Sequence, residues 1–258
     1  MPESVGVLSS VLLPLARLAA LVLLQHHLQG EQVDLEGRLH SLELQLGRRP
    51  ATAAPQSSAA SREQAERLAQ FIRALPERPA LVVGHSMGGQ IVGLLAARHP
   101  ETAPRIVLMS SAGVRFEENA FANAVLAGQN PFQVTNRREL KRYLGIVFAE
   151  PPFVPWPASE ALVRRRRADA PFEQRVLDGI GRGPDAFALE AELANIQAHT
   201  LLLWCRDDRV IDVSAAEVFH RGLARSRTVI LAGCGHMPMM AQPRLVADAI
   251  AGFMDGPG

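Results

Sequence analysis

Three residue types in this chain could together make a nucleophile work. Ser86 stands in Gly84-His85-Ser86-Met87-Gly88, the pair Asp207-Asp208 follows Trp204-Cys205-Arg206, and His236 follows Gly233-Cys234-Gly235. A serine hydroxyl is a poor nucleophile near neutral pH. An imidazole must take its proton, and a carboxylate must fix the imidazole tautomer and stabilise the imidazolium that forms. Taken singly each signal is weak: a glycine-flanked serine can be an ordinary turn, a histidine after a strand is commonly structural, and either aspartate can cap its own turn. In the chain order Ser, Asp, His at successive strand ends they point to nucleophilic chemistry. Asp208 lies deeper in its loop and is the candidate acid, with Asp207 as the turn-capping alternative.

The elements that must position these residues follow from the apolar runs. Residues 80–83 read as a short buried strand and 91–98, with apolar residues at helical spacing, as the helix after it. The turn between them holds Ser86 in strained geometry, so the residues two before and two after must be small enough for strand and helix to approach. Oγ would then stand clear at a helix N-terminus, where backbone N–H groups favour a developing negative charge. Further buried strands are expected at 105–110, 200–204 and 227–231, with helices at 62–75, 214–224 and 244–254. Strand, helix, strand implies a right-handed crossover and a parallel sheet, whose carboxyl edge is where such folds place their sites.

Between the second and third of these strands the pattern changes. Residues 116–197 read as helical pieces at 139–148, 159–167, 172–180 and 186–196, separated by prolines, and they hold most of the aromatics. Such an insertion suits a lid over an apolar substrate, or its aromatics pack only its own core. The run Arg164 to Arg167 reads as a solvated helix face. A chain of 258 residues, 48% of them hydrophobic, can bury one sizeable core. A formal charge of +1 leaves no nucleic-acid footprint. Cys205 and Cys234 are too few for a disulfide scaffold and wrongly spaced for a zinc site. They are expected to stay reduced, with a single bridge as the alternative for an exported protein, because both lie just beyond adjacent strand ends.

Residues 7–28 are strongly apolar but contain Pro14 and Arg17, and no basic residue precedes them. Neither the positive region nor the small-residue cleavage site of a signal peptide is evident, and a mid-span arginine is costly in a bilayer. A buried or membrane-peripheral helix is expected, and with it a cytoplasmic or membrane-associated protein. Residues 31–49 alternate like two strands around Glu36-Gly37, and 50–61 reads as an Ala-, Ser- and Pro-rich linker.

Gly84-His85-Ser86-Met87-Gly88-Gly89, Trp204-Cys205-Arg206-Asp207-Asp208-Arg209-Val210 and Gly233-Cys234-Gly235-His236-Met237-Pro238 resemble the elbow, acid loop and histidine loop of the α/β-hydrolase superfamily. Asn130-Pro131-Phe132-Gln133-Val134-Thr135 and Val147-Phe148-Ala149-Glu150-Pro151-Pro152-Phe153 resemble the cap of its bacterial lipase and monoacylglycerol-lipase-like branch. The resemblance covers the chain from about Arg62 onward. It implies an α/β fold, a mostly parallel sheet flanked by helices, built from residues 31–115 and 198–258, with a helical cap at 116–197 and an apolar helix at 1–30. It also implies that Ser86 is the nucleophile, Asp208 the acid, His236 the base and the Met87 N–H one oxyanion donor. The substrates implied are small carboxylic esters with apolar acyl chains, acylglycerols among them, with no cofactor, no metal and no nucleic acid, and peripheral membrane contact through the N-terminal segment.

Two departures qualify this expectation. Cys205 replaces the glycine usual after the tryptophan, and the His-Gly turn that supplies the second oxyanion N–H is missing, as is the Pro-Gly-x-Gly-like turn after the next strand. Either residues 31–49 are the family's first hairpin and the following strands are missing, or Leu21-Val22-Leu23-Leu24 is the third strand and Gln25-His26-His27 a degenerate oxyanion turn. Losing one such donor typically costs about 10²- to 10³-fold in turnover. Three readings follow: a serine ester hydrolase, a hydrolase-like protein that no longer catalyses, and a carbon-carbon bond hydrolase using the same trio.

Overall fold

The computed structural model describes residues 60–183 and 185–256. The expected apolar helix, hairpin and alternative oxyanion turn, and all but the end of the expected linker, lie outside the described residues.

Within them the order is α1 (Ala60–Ala74), β1 (Val82–His85), α2 (Met87–Arg98), β2 (Arg105–Met109), α3 (Ala120–Leu126), α4 (Arg137–Val147), α5 (Ala158–Arg182), a 3₁₀ turn (Glu190–Asn195), β3 (His199–Cys205), α6 (Ser214–Gly222), β4 (Ser226–Leu231), α7 (Pro238–Ala241) and α8 (Pro243–Met254). The four strands form one parallel sheet in the order β1-β2-β3-β4. Register runs His85 to Met109, Met109 to Leu203 and Cys205 to Leu231, which aligns the carboxyl ends of all four strands. This is the α/β fold with a parallel sheet flanked by helices that the apolar runs imply.

The core forms where the sequence is apolar on every side. Ile106, Val107 and Leu108 of β2 and Leu201 to Trp204 of β3 have no solvent access. Such continuous apolar strands belong to a sheet covered on both faces. α2 is buried along one continuous run, Gly89 to Ala96, because it lies between the sheet, α1 and the 3₁₀ turn. Gly93 is required there, since a Cβ would fall 2.4 Å from the Leu189 side chain.

Three expectations need correction. The helices expected at 159–167 and 172–180 are one helix, α5, with Pro171 inside it. Arg166 pairs with Glu173 at 3.2 Å within the helix across the proline, and a tertiary contact holds Arg166 over the Tyr143 ring of α4 at 4.5 Å. The helix expected at 186–196 is instead a series of turns ending in the 3₁₀ segment. There Glu190 N–H donates to the Gly113 carbonyl at 3.0 Å, and its carboxylate accepts from Arg115, so bonds to another segment replace helical ones. Cys205 and Cys234, expected to be reduced, form a disulfide. Their strands are adjacent, and Cys205 is opposite Leu231, three residues before Cys234.

Aromatics of the insertion divide by burial. Phe121, Phe132 and Tyr143 pack ring against ring, and Phe148 is buried. Phe153 is 90% exposed and Trp156 71%, in the segment between α4 and α5. No helix among the described residues is long and apolar enough to cross a membrane.

The disulfide closes a loop between residues 29 apart in sequence. Restricting a loop of that length in the unfolded chain is worth about 3–4 kcal/mol in the chain-entropy model. Replacing both cysteines by alanine should lower the unfolding free energy by that order in urea denaturation, and an unchanged midpoint would contradict it.

Candidate active site

The elbow is built by close approach of backbone to backbone. A Cβ on Gly84 would lie 2.3 Å from the Gly88 carbonyl oxygen and 2.8 Å from Gly89 Cα, and one on Gly89 would lie 2.3 Å from Ser111 Oγ. Strand and helix can meet this tightly only with glycine at these positions. Between them Ser86 takes φ +54° and ψ −122°, a conformation an L-residue holds only under tertiary constraint. The constraint is visible: Ser86 N–H donates to Met109 O at 3.0 Å, and Ser86 O accepts from Ala112 N–H at 3.0 Å. Met87 is the first residue of α2, so its N–H has no acceptor earlier in the helix and belongs to the positive end of the helix dipole.

The acid comes from the loop after β3. Asp208 is buried while Asp207 is exposed. Asp208 Oδ1 accepts from the Val210 and Ile211 backbone N–H groups at 2.9 and 3.1 Å, which orients the carboxylate. Trp204 supports this turn through a 3.0 Å bond from Nε1 to the Ile211 carbonyl. Burial of Asp208 opposes its ionisation, but the His236 imidazole beside it and the Val210 N–H more than offset that, and its pKa falls below the ordinary value of 3.8. The buried Ser110 hydroxyl, on a residue at φ +44°, lies outside ordinary hydrogen-bond geometry yet near enough to Asp208 to favour its charge.

His236 joins the two. Its Nδ1 lies 2.9 Å from Asp208 Oδ2 and its Nε2 lies 3.0 Å from Ser86 Oγ. Because the ionised carboxylate can only accept, Nδ1 carries the proton, and the unprotonated Nε2 accepts from the Ser86 hydroxyl. Ser86 is partly exposed, whereas His236 and Asp208 are buried. The trio and Met87 therefore meet at the carboxyl edge of the sheet. Among the described residues no group of three His, Cys, Asp or Glu is placed to hold a metal ion.

Sequence reasoning missed what surrounds the trio. The disulfide ties the loop of Asp208 to that of His236, being three residues before one and two before the other. Residues 145–149, at the end of α4, touch both loops. Arg209 Nη1 donates to the Gly145 carbonyl at 2.7 Å. A Cβ on Gly235 would meet Ala149 N at 2.9 Å and Val147 O at 3.0 Å. The glycine pattern at 233–235 was the one available signal for such close packing. His85, to which no role was given, is buried against the His236 ring with centroids 4.8 Å apart. Burial, reinforced by His236, pushes its pKa from 6.5 down to about 3.

Two expected outcomes follow. Gly84→Ala should force strand and helix apart, cost about 1–3 kcal/mol by overpacking and displace Ser86; thermal unfolding and covalent labelling of Ser86 would both register it. Acid should weaken the fold in two stages. His85 stays neutral in the native state, so stability falls as pH drops from 6.5 toward about 3, where only the unfolded chain takes up that proton. Asp208 adds stability that is full above 3.8 and lost as pH falls below it. Urea titrations across this range should show His85→Gln losing less stability between 6.5 and 3.8 than the parent; equal slopes would contradict the first stage.

Residues 18–249 match the model of the Alpha/beta hydrolase family. Monoacylglycerol lipase ABHD6 of Bos taurus is 27% identical over 201 residues, covering 74% of this chain and 60% of the lipase. The chain thus spans about 60% of the length of the monoacylglycerol lipases it matches. The 2-hydroxymuconate semialdehyde hydrolase of Pseudomonas sp. strain CF600 is 30% identical over 187 residues, covering 70% of this chain and 64% of that one. A membrane phospholipase A, described as a novel bacterial virulence factor, superposes with a TM-score of 0.73 at 36% identity, over 81% of this chain and 66% of that one. The elbow, acid loop and histidine loop lie within the matched span, and the chain belongs to the alpha/beta hydrolase family.

Proposed function

We propose that this protein is a serine hydrolase of carboxylic esters with apolar acyl chains, acylglycerols among them. The observation that carries the reading is the hydrogen-bond chain Ser86 Oγ, His236 Nε2, His236 Nδ1, Asp208 Oδ2, with links of 3.0 and 2.9 Å. In this reading Ser86 Oγ attacks the ester carbonyl carbon while His236 Nε2 takes its proton. The oxyanion settles on the Met87 N–H at the start of α2. The tetrahedral adduct collapses, His236 returns the proton to the leaving alcohol oxygen, and an acyl-Ser86 remains. Water, deprotonated by the same Nε2, attacks the acyl carbon; the bond to Ser86 Oγ then breaks, Oγ takes that proton back from His236, and the acid is freed. Asp208 stays ionised throughout and holds the imidazolium.

The substrate class rests on two kinds of support. Among the similar proteins are a monoacylglycerol lipase and a membrane phospholipase A. Residues 116–197, proposed as a lid beside the remaining core, carry the exposed Phe153 and Trp156. The likeness to 2-hydroxymuconate semialdehyde hydrolase favours a second reading, hydrolysis of a carbon-carbon bond by the same trio. The exposed Phe153 and Trp156 favour the ester. Peripheral membrane association through residues 1–30 belongs to the proposal as well.

A fluorophosphonate ester should label Ser86, located by mass spectrometry, and p-nitrophenyl esters of short and long acids should be hydrolysed. Ser86→Ala should lower the rate by roughly 10⁴-fold or more. Turnover that survives this substitution would overturn the assignment. Turnover of a vinylogous diketone acid with none of the esters would select the second reading. A folded protein that neither labels nor turns over any substrate would be a hydrolase-like binding module.

A further inference from the structure

We infer that His85 is a positioning residue for His236, donating its Nε2–H to the His236 backbone carbonyl and thereby holding the imidazole at the height Ser86 requires. This rests on the reading of Ser86, His236 and Asp208 as the reacting trio. His85 is the last residue of β1 and the immediate neighbour of Ser86. Its side chain crosses to the histidine loop and meets the His236 carbonyl oxygen at 2.7 Å, linking residues 151 apart in sequence.

The loop needs such a hold. Residues 232–237 contain Gly233, at φ +69°, and Gly235, the least restrained of residues. The disulfide fixes the chain two residues before His236. The bond from His85 fixes the peptide just after it. With both flanks held, the ring cannot swing away from Oγ by rotation of its own backbone. Asp208 holds Nδ1 with both carboxylate oxygens, at 3.1 and 2.9 Å, but a hold at one ring atom leaves the ring free to pivot about it.

The chemistry of the donor is determined by its partner. A carbonyl oxygen accepts and cannot donate, so the proton of a neutral His85 must sit on Nε2. Burial keeps His85 neutral, with its pKa near 3, so no second positive charge stands beside the imidazolium that forms on His236 during turnover. His85 therefore supplies rigidity without competing as a base. The same elbow residue sets Ser86 on one side and the histidine peptide on the other, so nucleophile and base are measured from one strand end.

Two substitutions separate donation from packing. His85→Gln can place an amide N–H where Nε2 stands, and His85→Met fills the volume without a donor. The readouts are kcat and KM on p-nitrophenyl butyrate, the rate of fluorophosphonate labelling, the unfolding midpoint, and the downfield proton resonance of the hydrogen-bonded His236 Nδ1–H. His85→Met should lower kcat about tenfold or more with KM changed by less than about threefold, and should broaden or shift the resonance. His85→Gln should restore both to near the parent values. An unchanged kcat and resonance in a folded His85→Met would overturn the inference. So would a His85→Gln as impaired as His85→Met, because ring packing would then be what matters. If His85→Met does not fold, His85→Asn, whose amide is too short to reach, replaces it as the arm without a donor. If the parent itself neither labels nor turns over, the proposed reaction fails. The resonance series still decides the positioning role in that case, being present in parent and His85→Gln and lost without the donor.

Discussion

The contact between Gly84 and the backbone of Gly88 and Gly89 is the constraint on which the site depends. Nothing larger than hydrogen fits between them, so β1 and α2 meet at a sharper angle than side chains would allow. That angle places Ser86 in its positive-φ conformation, lifts its hydroxyl off the strand and sets the start of α2 beside it. The strain is local and is held by bonds from β2 and from the segment after it, namely Met109 O and Ala112 N. Parallel strands in register then bring the loops after β3 and β4 to the same edge.

What the edge lacks in regular structure it recovers by cross-linking. The acid and histidine loops are bound covalently through Cys205 and Cys234, electrostatically through Asp208 and His236, and to the elbow through His85. Each link joins segments far apart in sequence. Loss of one leaves the others to hold approximate geometry, which suits a site where a displacement of about 1 Å is costly.

Much of this was legible in the residues. β1, β2 and β3 appear as short apolar runs because both faces of the sheet are covered there, whereas β4, expected to be buried, lies at the end of the sheet order and is largely exposed; each strand falls within a residue or two of its expected place. The elbow was readable because its glycines answer a steric demand that few other motifs make. Asp208 could be preferred to Asp207 on its depth in the loop, and burial separates the two in that sense. The errors lie where contacts between segments outweigh local preference. Pro171 reads as a break, but Arg166 and Glu173 bridge it. Residues 186–196 have helical spacing, but Glu190 is captured by Gly113 and Arg115. The thiols read as reduced on composition, whereas their pairing depends on a strand register that one sequence does not display. His85 carried no signal of its own, because its partner is a backbone atom and a backbone atom has no residue type.

The seat of α4's end on the loops of Asp208 and His236 has a consequence for what the contact demands of the sequence. Arg209 holds the Gly145 carbonyl one residue after the acid, and Gly235 receives Val147 to Ala149 one residue before the histidine. The insertion thus rests on the two loops by main-chain contact, and its side chains are free to diverge without disturbing the seat. Main-chain seating makes this contact depend on the path of the peptide at 145–149 and not on which side chains those residues carry.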